Sequence, residues 1–199
     1  MQTEYEATFW PIDKDTVRAL LQSAGATMKY PERLMRRVAF NLPPSEAITN
    51  PAQAWGRVRD EGDRITMSIK SVTGLNIEDQ KEAQVVVEDF EDGRAFMKSF
   101  GSVEKSYQES KRELWKLDDV EIMIDEWPFL EPFVEVEGKS EEAVRIVSEK
   151  LGFEWSKAHF GNVGSFYVER YGISEDQIYN QTPRLVFGDP LPFANISKE

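Results

Sequence analysis

Residues 55–70 read WGRVRDEGDRITMSIK. Both halves of this stretch alternate around a polar turn. Arg57 and Arg59 flank Val58, the turn 60-DEGD-63 follows, and in 64–70 Ile65, Met67 and Ile69 oppose Arg64, Thr66, Ser68 and Lys70. Period-two alternation on both sides of a glycine-containing turn predicts a β-hairpin. The polar face of this hairpin is not that of an ordinary wet sheet, because two arginines stand side by side on it. Like charges at spacing two on one strand face repel each other.

Working outward, the same period recurs. In 4–9, Glu4, Glu6 and Thr8 oppose Tyr5, Ala7 and Phe9; in 37–42, Val38, Phe40 and Leu42 oppose Arg37, Ala39 and Asn41. Alternation continues in 82–88, in a charged segment 107–117 that contains Arg112, in 120–125 and in 133–137. About eight strands is a number at which an antiparallel sheet closes around an interior. Helical spacing of apolar residues predicts helices over 12–24, 89–100 and 140–151, with a short one near 173–180. The segments 43–53, 71–80 and 127–132 read as loops. The expectation is an α+β fold: a closed eight-stranded antiparallel β-barrel, or tunnel, with flanking helices. One domain spans 1–199, and its tail, about 181–199, is a lid or an edge cover.

Composition narrows the chemistry. The 199 residues include no cysteine, so neither a disulfide nor a thiolate site is available. No apolar run is long enough to span a bilayer, and MQTEYEATFW has neither a basic start nor an apolar core of a signal peptide, so a cytoplasmic protein without a membrane partner is expected. The net charge of −12 argues against nonspecific nucleic-acid binding, while leaving room for a local basic pocket. A small-molecule ligand, bound by a monomer or a homodimer, is the expected partner.

Three same-sign pairs stand out: Glu4/Glu6, Arg57/Arg59 and Glu135/Glu137, with Lys70, Arg112 and Asp125 on further strands. Any one pair fits an ordinary solvated face. All of them together make sense if a partner of opposite sign lies between. Carboxylates suit a hard divalent cation. Arginine and lysine suit phosphate oxygens. The combination describes a metal–polyphosphate site. A lumen lined this way must be wet or filled with ligand, because charge buried without either is too costly.

The order Glu4-x-Glu6, Arg57-x-Arg59, Lys70 in TMSIK, Arg112 in SKRELW, Asp125 in IMID and Glu135-x-Glu137 in FVEVEG resembles the CYTH superfamily, the triphosphate tunnel metalloenzymes. These include class IV adenylate cyclases, thiamine triphosphatases and inorganic triphosphatases. The resemblance runs from about residue 3 to about residue 155. It implies that Glu4, Glu6, Glu135 and Glu137, assisted by Asp125, hold Mg²⁺ or Mn²⁺. Arg57, Arg59, Lys70 and Arg112 would bind the triphosphate, Glu82 would be a further tunnel carboxylate, and Glu4, Glu6, Arg57, Lys70 and Arg112 would carry catalysis. The sequence departs from the family pattern in three places. Thr8 stands where the opening ExExK motif has lysine, Ser110 stands in the basic pair before Arg112, and Phe129 and Glu131 replace glycines before the last acidic pair.

The implied activity is metal-dependent hydrolysis of a triphosphate. The alternatives are cyclisation of ATP to cyclic AMP and pyrophosphate, and a module that binds a polyphosphate or nucleotide without turnover. The only histidine, His159, is expected outside the tunnel. Trp127 is the tryptophan best placed, at a rim loop, to stack on a base. The run 88-EDFEDG-93 reads as a helix start with solvated carboxylates.

Overall fold

The computed structural model describes residues 1–45 and 53–193, so most of the expected loop 43–53 lies outside the described residues. The strands are β1 (Gln2–Thr3), β2 (Tyr5–Phe9), β3 (Thr27–Asn41), β4 (Ala54–Asp60), β5 (Ile65–Val72), β6 (Gln80–Val87), β7 (Val103–Leu117), β8 (Val120–Glu126) and β9 (Phe133–Gly138). They pair in the order β1-β6-β5-β4-β3-β7-β8-β9-β2. β1 and β2 are two halves of one stave, separated only by Glu4. The first half pairs with β6 (Gln2 opposite Glu82) and the second with β9 (Phe9 opposite Val134). The path therefore returns on itself as a nearly closed antiparallel barrel of eight staves. Beyond Glu6, the free edge of β2 is taken by the loop before the C-terminal helices, where Thr8 and His159 exchange backbone hydrogen bonds of 3.0 and 2.9 Å.

The alternation decides what faces out. Ala7, Phe9, Trp115, Ile122, Ile124, Val134 and Val136 point away from the lumen. They are covered by α1 (Lys14–Ser23) through Val17 and Leu21, and by α3 (Glu141–Lys150) through Val144, Val147 and Leu151. On another side Val38, Phe40 and Val58 pack on Met97 of α2 (Phe90–Ser99). Each such side chain, fully buried, contributes roughly 1.5–3 kcal/mol. With most apolar residues used outside, mainly polar side chains line the inside, joined by Met35, Leu114 and Met123. Close approach of α2 depends on Gly56, where a Cβ would meet Met97 Cε at 2.2 Å. All three helices start at side-chain caps. Asp13 accepts from Thr16 N, Asp89 from Glu91 N and Asp92 N, and Ser140 from Ala143 N. The run 88–93 is thus a helix start, as its composition implied.

Two further helices, α4 (Gly164–Tyr171) and α5 (Glu175–Asn180), build a second cluster around Trp127, Phe133, Phe166 and Tyr167. Phe133 shares the lumen side of β9 with Glu135 and Glu137, so this cluster closes the barrel at its aromatic end. Tyr167 donates to Pro128 O at 2.7 Å and Tyr171 to Phe129 O at 2.5 Å, fixing the 127–132 turn. Phe129 has φ +67°, a left-handed conformation that glycine adopts without strain. After α5, β10 (Arg184–Leu185) adds in parallel to β7, and Leu185 and Phe193 join the aromatic cluster. Trp127, expected at a rim, is instead 4% exposed in this cluster, which removes it as a stacking platform for a base.

Candidate functional site

The barrel encloses a cavity of about 820 Å³, lined among others by Arg33, Arg59, Glu61, Glu82, Arg112 and Glu137. Strand register explains the convergence. Arg57 lies opposite Ser68, Lys70 opposite Glu82, Arg112 opposite Asp125, and Thr8 and Glu6 opposite Glu135 and Glu137. All ten residues singled out by sequence (Glu4, Glu6, Arg57, Arg59, Lys70, Glu82, Arg112, Asp125, Glu135 and Glu137) are held at or around this lumen by these pairings.

Most of the charges pair with one another. Arg57 Nη2 is 2.9 Å from Glu82 Oε1. Lys70 Nζ is 2.8 Å from Glu4 Oε2, an ion contact rather than an aligned hydrogen bond, and 3.7 Å from Glu82. Arg112 makes a bidentate pair with Asp125, at 2.7 and 2.5 Å, and reaches Glu135 at 2.5 Å. Arg59 is held by Glu61 at 2.5 Å, and Arg64 reaches the same carboxylate at 2.8 Å. Glu61 is only 2% exposed. From sequence it reads as a turn residue, so its role in aiming Arg59 emerges only from the structure.

Glu6 and Glu137 differ from the rest. They face each other across β2 and β9, and Glu137 also faces Glu121 across β8. Among the described residues, neither Glu6 nor Glu137 has an ion-pair partner. Burial pushes the Glu6 carboxyl well above the usual carboxylate range; Glu135, Glu137 and Glu4 add to this, against the pull of Lys70. Glu137 is raised by burial, with Glu121 and Glu135 opposing Lys70 and Arg112. Burial and a hydrogen bond with Glu82 bring Glu4 up to about 7. Its partner Glu82 is also buried, yet that hydrogen bond together with Arg57 and Lys70 holds it low. Burial brings Asp125 to about 6 in spite of Arg112. On the basic side, burial and the charges of Arg57 and Arg112 lower Arg59 to about 10.

These shifts fix a pH dependence. Glu4 keeps its proton up to about pH 7 and Asp125 up to about pH 6 in the fold, whereas unfolded they release it near 4.5 and 3.8. Between those values the folded state binds more protons, so stability falls as pH rises. Glu61, held at about 2, acts in the opposite direction but only in acid, where its contribution is lost below its ordinary 4.5. Urea unfolding of the ligand-free protein should therefore show stability at pH 8 lower than at pH 5, by on the order of 3 kcal/mol for a shift of about two units. A profile that is flat or rises over that range contradicts the burial of these groups.

Two residues that the sequence reading placed on a strand's polar face without marking them as functional also belong here. Arg37 lies opposite Arg59 on the lumen face of β3, and Glu121 extends the acidic row at the mouth. His159 serves through its backbone and packs its ring edge-on to Phe166. Thr8 is buried beside Glu6 and supplies no cation.

No protein-family model and no curated sequence matches the chain. Solved structures do. A candidate adenylate cyclase from Vibrio parahaemolyticus superposes with a TM-score of 0.69 at 10% identity, over 83% of this chain and 98% of that one. A conserved hypothetical protein from Pyrococcus furiosus gives 0.66 at 19% identity, over 82% and 99%. A candidate adenylyl cyclase from Hippeastrum, described as having a dominant triphosphatase activity, gives 0.56 at 14% identity, over 87% and 97%. The chain thus has the fold that the motif resemblance implied. At such identities the likeness establishes the fold, and chemistry has to be argued from the lumen.

Proposed function

We propose that the tunnel is the active site of a metal-dependent enzyme that hydrolyses a small triphosphate compound. One observation carries this reading: Arg57, Arg59, Lys70 and Arg112, from three different strands, are paired with carboxylates on the lumen side of the barrel, and Arg59 and Arg112 line its cavity. A polyanion entering the cavity would take over these cations from their carboxylates.

The donor set suits Mg²⁺ or Mn²⁺. Every acidic ligand candidate is an oxygen donor, and Glu6 and Glu137 face each other without an ion-pair partner among the described residues, so that a cation between them would favour their ionised forms. Among the described residues, no three acidic or histidine side chains are grouped so as to hold a metal by themselves. That fits a cation of this type, which is commonly bound by one or two carboxylates and completes its shell with phosphate oxygens and water. Glu6 and Glu137 would hold it, with Glu4, Glu135 and Asp125 nearby. When bound, the metal would neutralise charge on the phosphates and orient them. The chain's own residues do the rest. Arg57, Arg59, Lys70 and Arg112 grip non-bridging oxygens and stabilise the negative charge that develops as the phosphoryl group transfers. Water attacks the terminal phosphorus, the bond to the bridging oxygen breaks, and phosphate and a diphosphate leave.

Thr8 favours a second reading, a binding module without turnover, because it leaves the lumen without the lysine of the opening motif. Incubation with tripolyphosphate, thiamine triphosphate and ATP, each with Mg²⁺ or Mn²⁺, separates the readings. Release of phosphate that requires the metal is the expected result. Cyclic AMP and pyrophosphate from ATP would make the protein a cyclase, and tight binding without product a module. If none of the three ligands binds, the triphosphate reading is wrong.

A further inference from the structure

Among the described residues, Arg37 has no carboxylate partner. Its Nε donates to the neutral Gln108 Oε1 at 2.8 Å, and its guanidinium lies over the Trp127 ring, 4.0 Å from the centroid. Among the described residues no acidic side chain forms an ion pair with it. The other lumen cations are partnered: Arg57 with Glu82, Arg59 with Glu61, Lys70 with Glu4, Arg112 with Asp125, and Arg33 with Asp63. Arg37 is instead set among like charges. Burial presses its pKa well down, and Arg57, Arg59 and Arg112 press it further, with Glu135 opposing them from beyond ion-pair distance. Its side chain is half-buried, on the face of β3 that Arg59 shares across the strand pair.

A deeply placed guanidinium without a counter-charge is unfavourable to the fold. Stacking on an indole and one neutral hydrogen bond offset only part of that. They do, however, hold the planar fork in one orientation, with its remaining donors unpaired among the described residues. The direction of the tunnel also bears on the ligand. Trp127, on which Arg37 stacks, belongs to a cluster of buried side chains with Phe133, Phe166 and Tyr167.

We propose that Arg37 forms the deepest anion subsite of the tunnel, where together with Arg59 it takes the free terminal phosphate of the ligand, so that the site accepts only triphosphates with one unsubstituted end. The inference rests on the triphosphate reading and adds a residue, a direction of entry and a ligand class. The organic part of a substituted triphosphate then lies toward the open mouth, near Arg33 and Glu121.

The test is calorimetric titration of the wild type and Arg37→Gln with tripolyphosphate, ATP and P1,P3-di(adenosine-5′) triphosphate, in the presence of Mg²⁺, alongside thermal unfolding without ligand. The wild type is expected to bind tripolyphosphate and ATP, and to bind the doubly substituted compound at least tenfold more weakly than ATP. Arg37→Gln is expected to weaken tripolyphosphate binding about tenfold to a hundredfold, the effect of losing charge-assisted hydrogen bonds. Its ligand-free Tm should be equal to the wild type or higher, because an uncompensated charge has been removed. A variant that is too unstable to titrate, or one whose affinity is unchanged, makes Arg37 a structural residue and overturns the proposal. So does equal affinity for ATP and the doubly substituted compound. If the wild type binds none of the three, the triphosphate reading has failed first.

Discussion

Arg112→Gln is expected to lower folding stability by about 3–5 kcal/mol at pH 8 and to reduce kcat/KM for triphosphate hydrolysis by about a hundredfold to a thousandfold. The two losses share one cause. Arg112 is the hub of the acidic side of the tunnel, bidentate to Asp125 and bonded to Glu135. Asp125 is 1% exposed and comes up to about 6 even with the guanidinium beside it. Without Arg112 the ionised carboxylate has no compensation, so the deficit is greatest above pH 7. It should shrink toward pH 5, where Asp125 takes a proton and no longer needs a cation. Urea unfolding at the two pH values reads the first loss and steady-state kinetics the second. A variant as stable and as active as the wild type would show that the Arg112 cluster is neither a structural hub nor a phosphate grip.

Glu6→Gln should move stability and function in opposite directions. Glu6 is 7% exposed, faces Glu137 across the strand pair, and has no ion-pair partner among the described residues. Its neutral isostere removes like-charge repulsion while keeping the shape. The ligand-free protein should gain about 0.5–2 kcal/mol at pH 8, the range of gains from relieving a strained functional group. The gain should shrink as pH falls, because burial pushes the Glu6 carboxyl upward and the protonated acid resembles glutamine. Metal-stimulated turnover should fall by at least a hundredfold, because one of two unbalanced carboxylates is lost. A destabilised variant with intact metal-dependent activity would reverse both signs and remove Glu6 from the site.

Period-two alternation located all eight staves and the ten charged residues first singled out, because in a barrel with apolar helices outside, the polar face of a strand points inward. It was least informative where neither face is buried. The first half of β3, 27–36, is largely exposed and contains Pro31, so it gave no alternation, although it pairs with β7 through register shifts. The helix α4 was missed as well. Its N-cap Val163 offers no side-chain cap, and its buried face is aromatic rather than a leucine stripe; Gly172, in the left-handed conformation at its C-terminus, was the available signal.

The site was legible where like charges fall two apart on one strand, as in Glu4/Glu6, Arg57/Arg59 and Glu135/Glu137. It was not legible where they meet across strands. Arg37 opposite Arg59, and Glu121 opposite Glu137, depend on register, which the sequence does not state. Glu61 looked like a turn residue because its neighbours Asp60, Gly62 and Asp63 are turn formers, yet the two-residue hairpin folds its carboxylate inward onto Arg59. Trp127 was misread for a related reason. A loop between two strands reads as rim, and nothing local announces that α4 will pack over it.

The most direct test of the charged lumen is a crystal structure of the protein soaked with tripolyphosphate and Mn²⁺, with anomalous scattering recorded at the manganese edge. The expected result is phosphate density inside the barrel in contact with Arg57, Arg59 and Arg112, and an anomalous peak beside Glu6 and Glu137. Phosphate and manganese found only on the outer surface, with the lumen ion pairs undisturbed, would contradict the account.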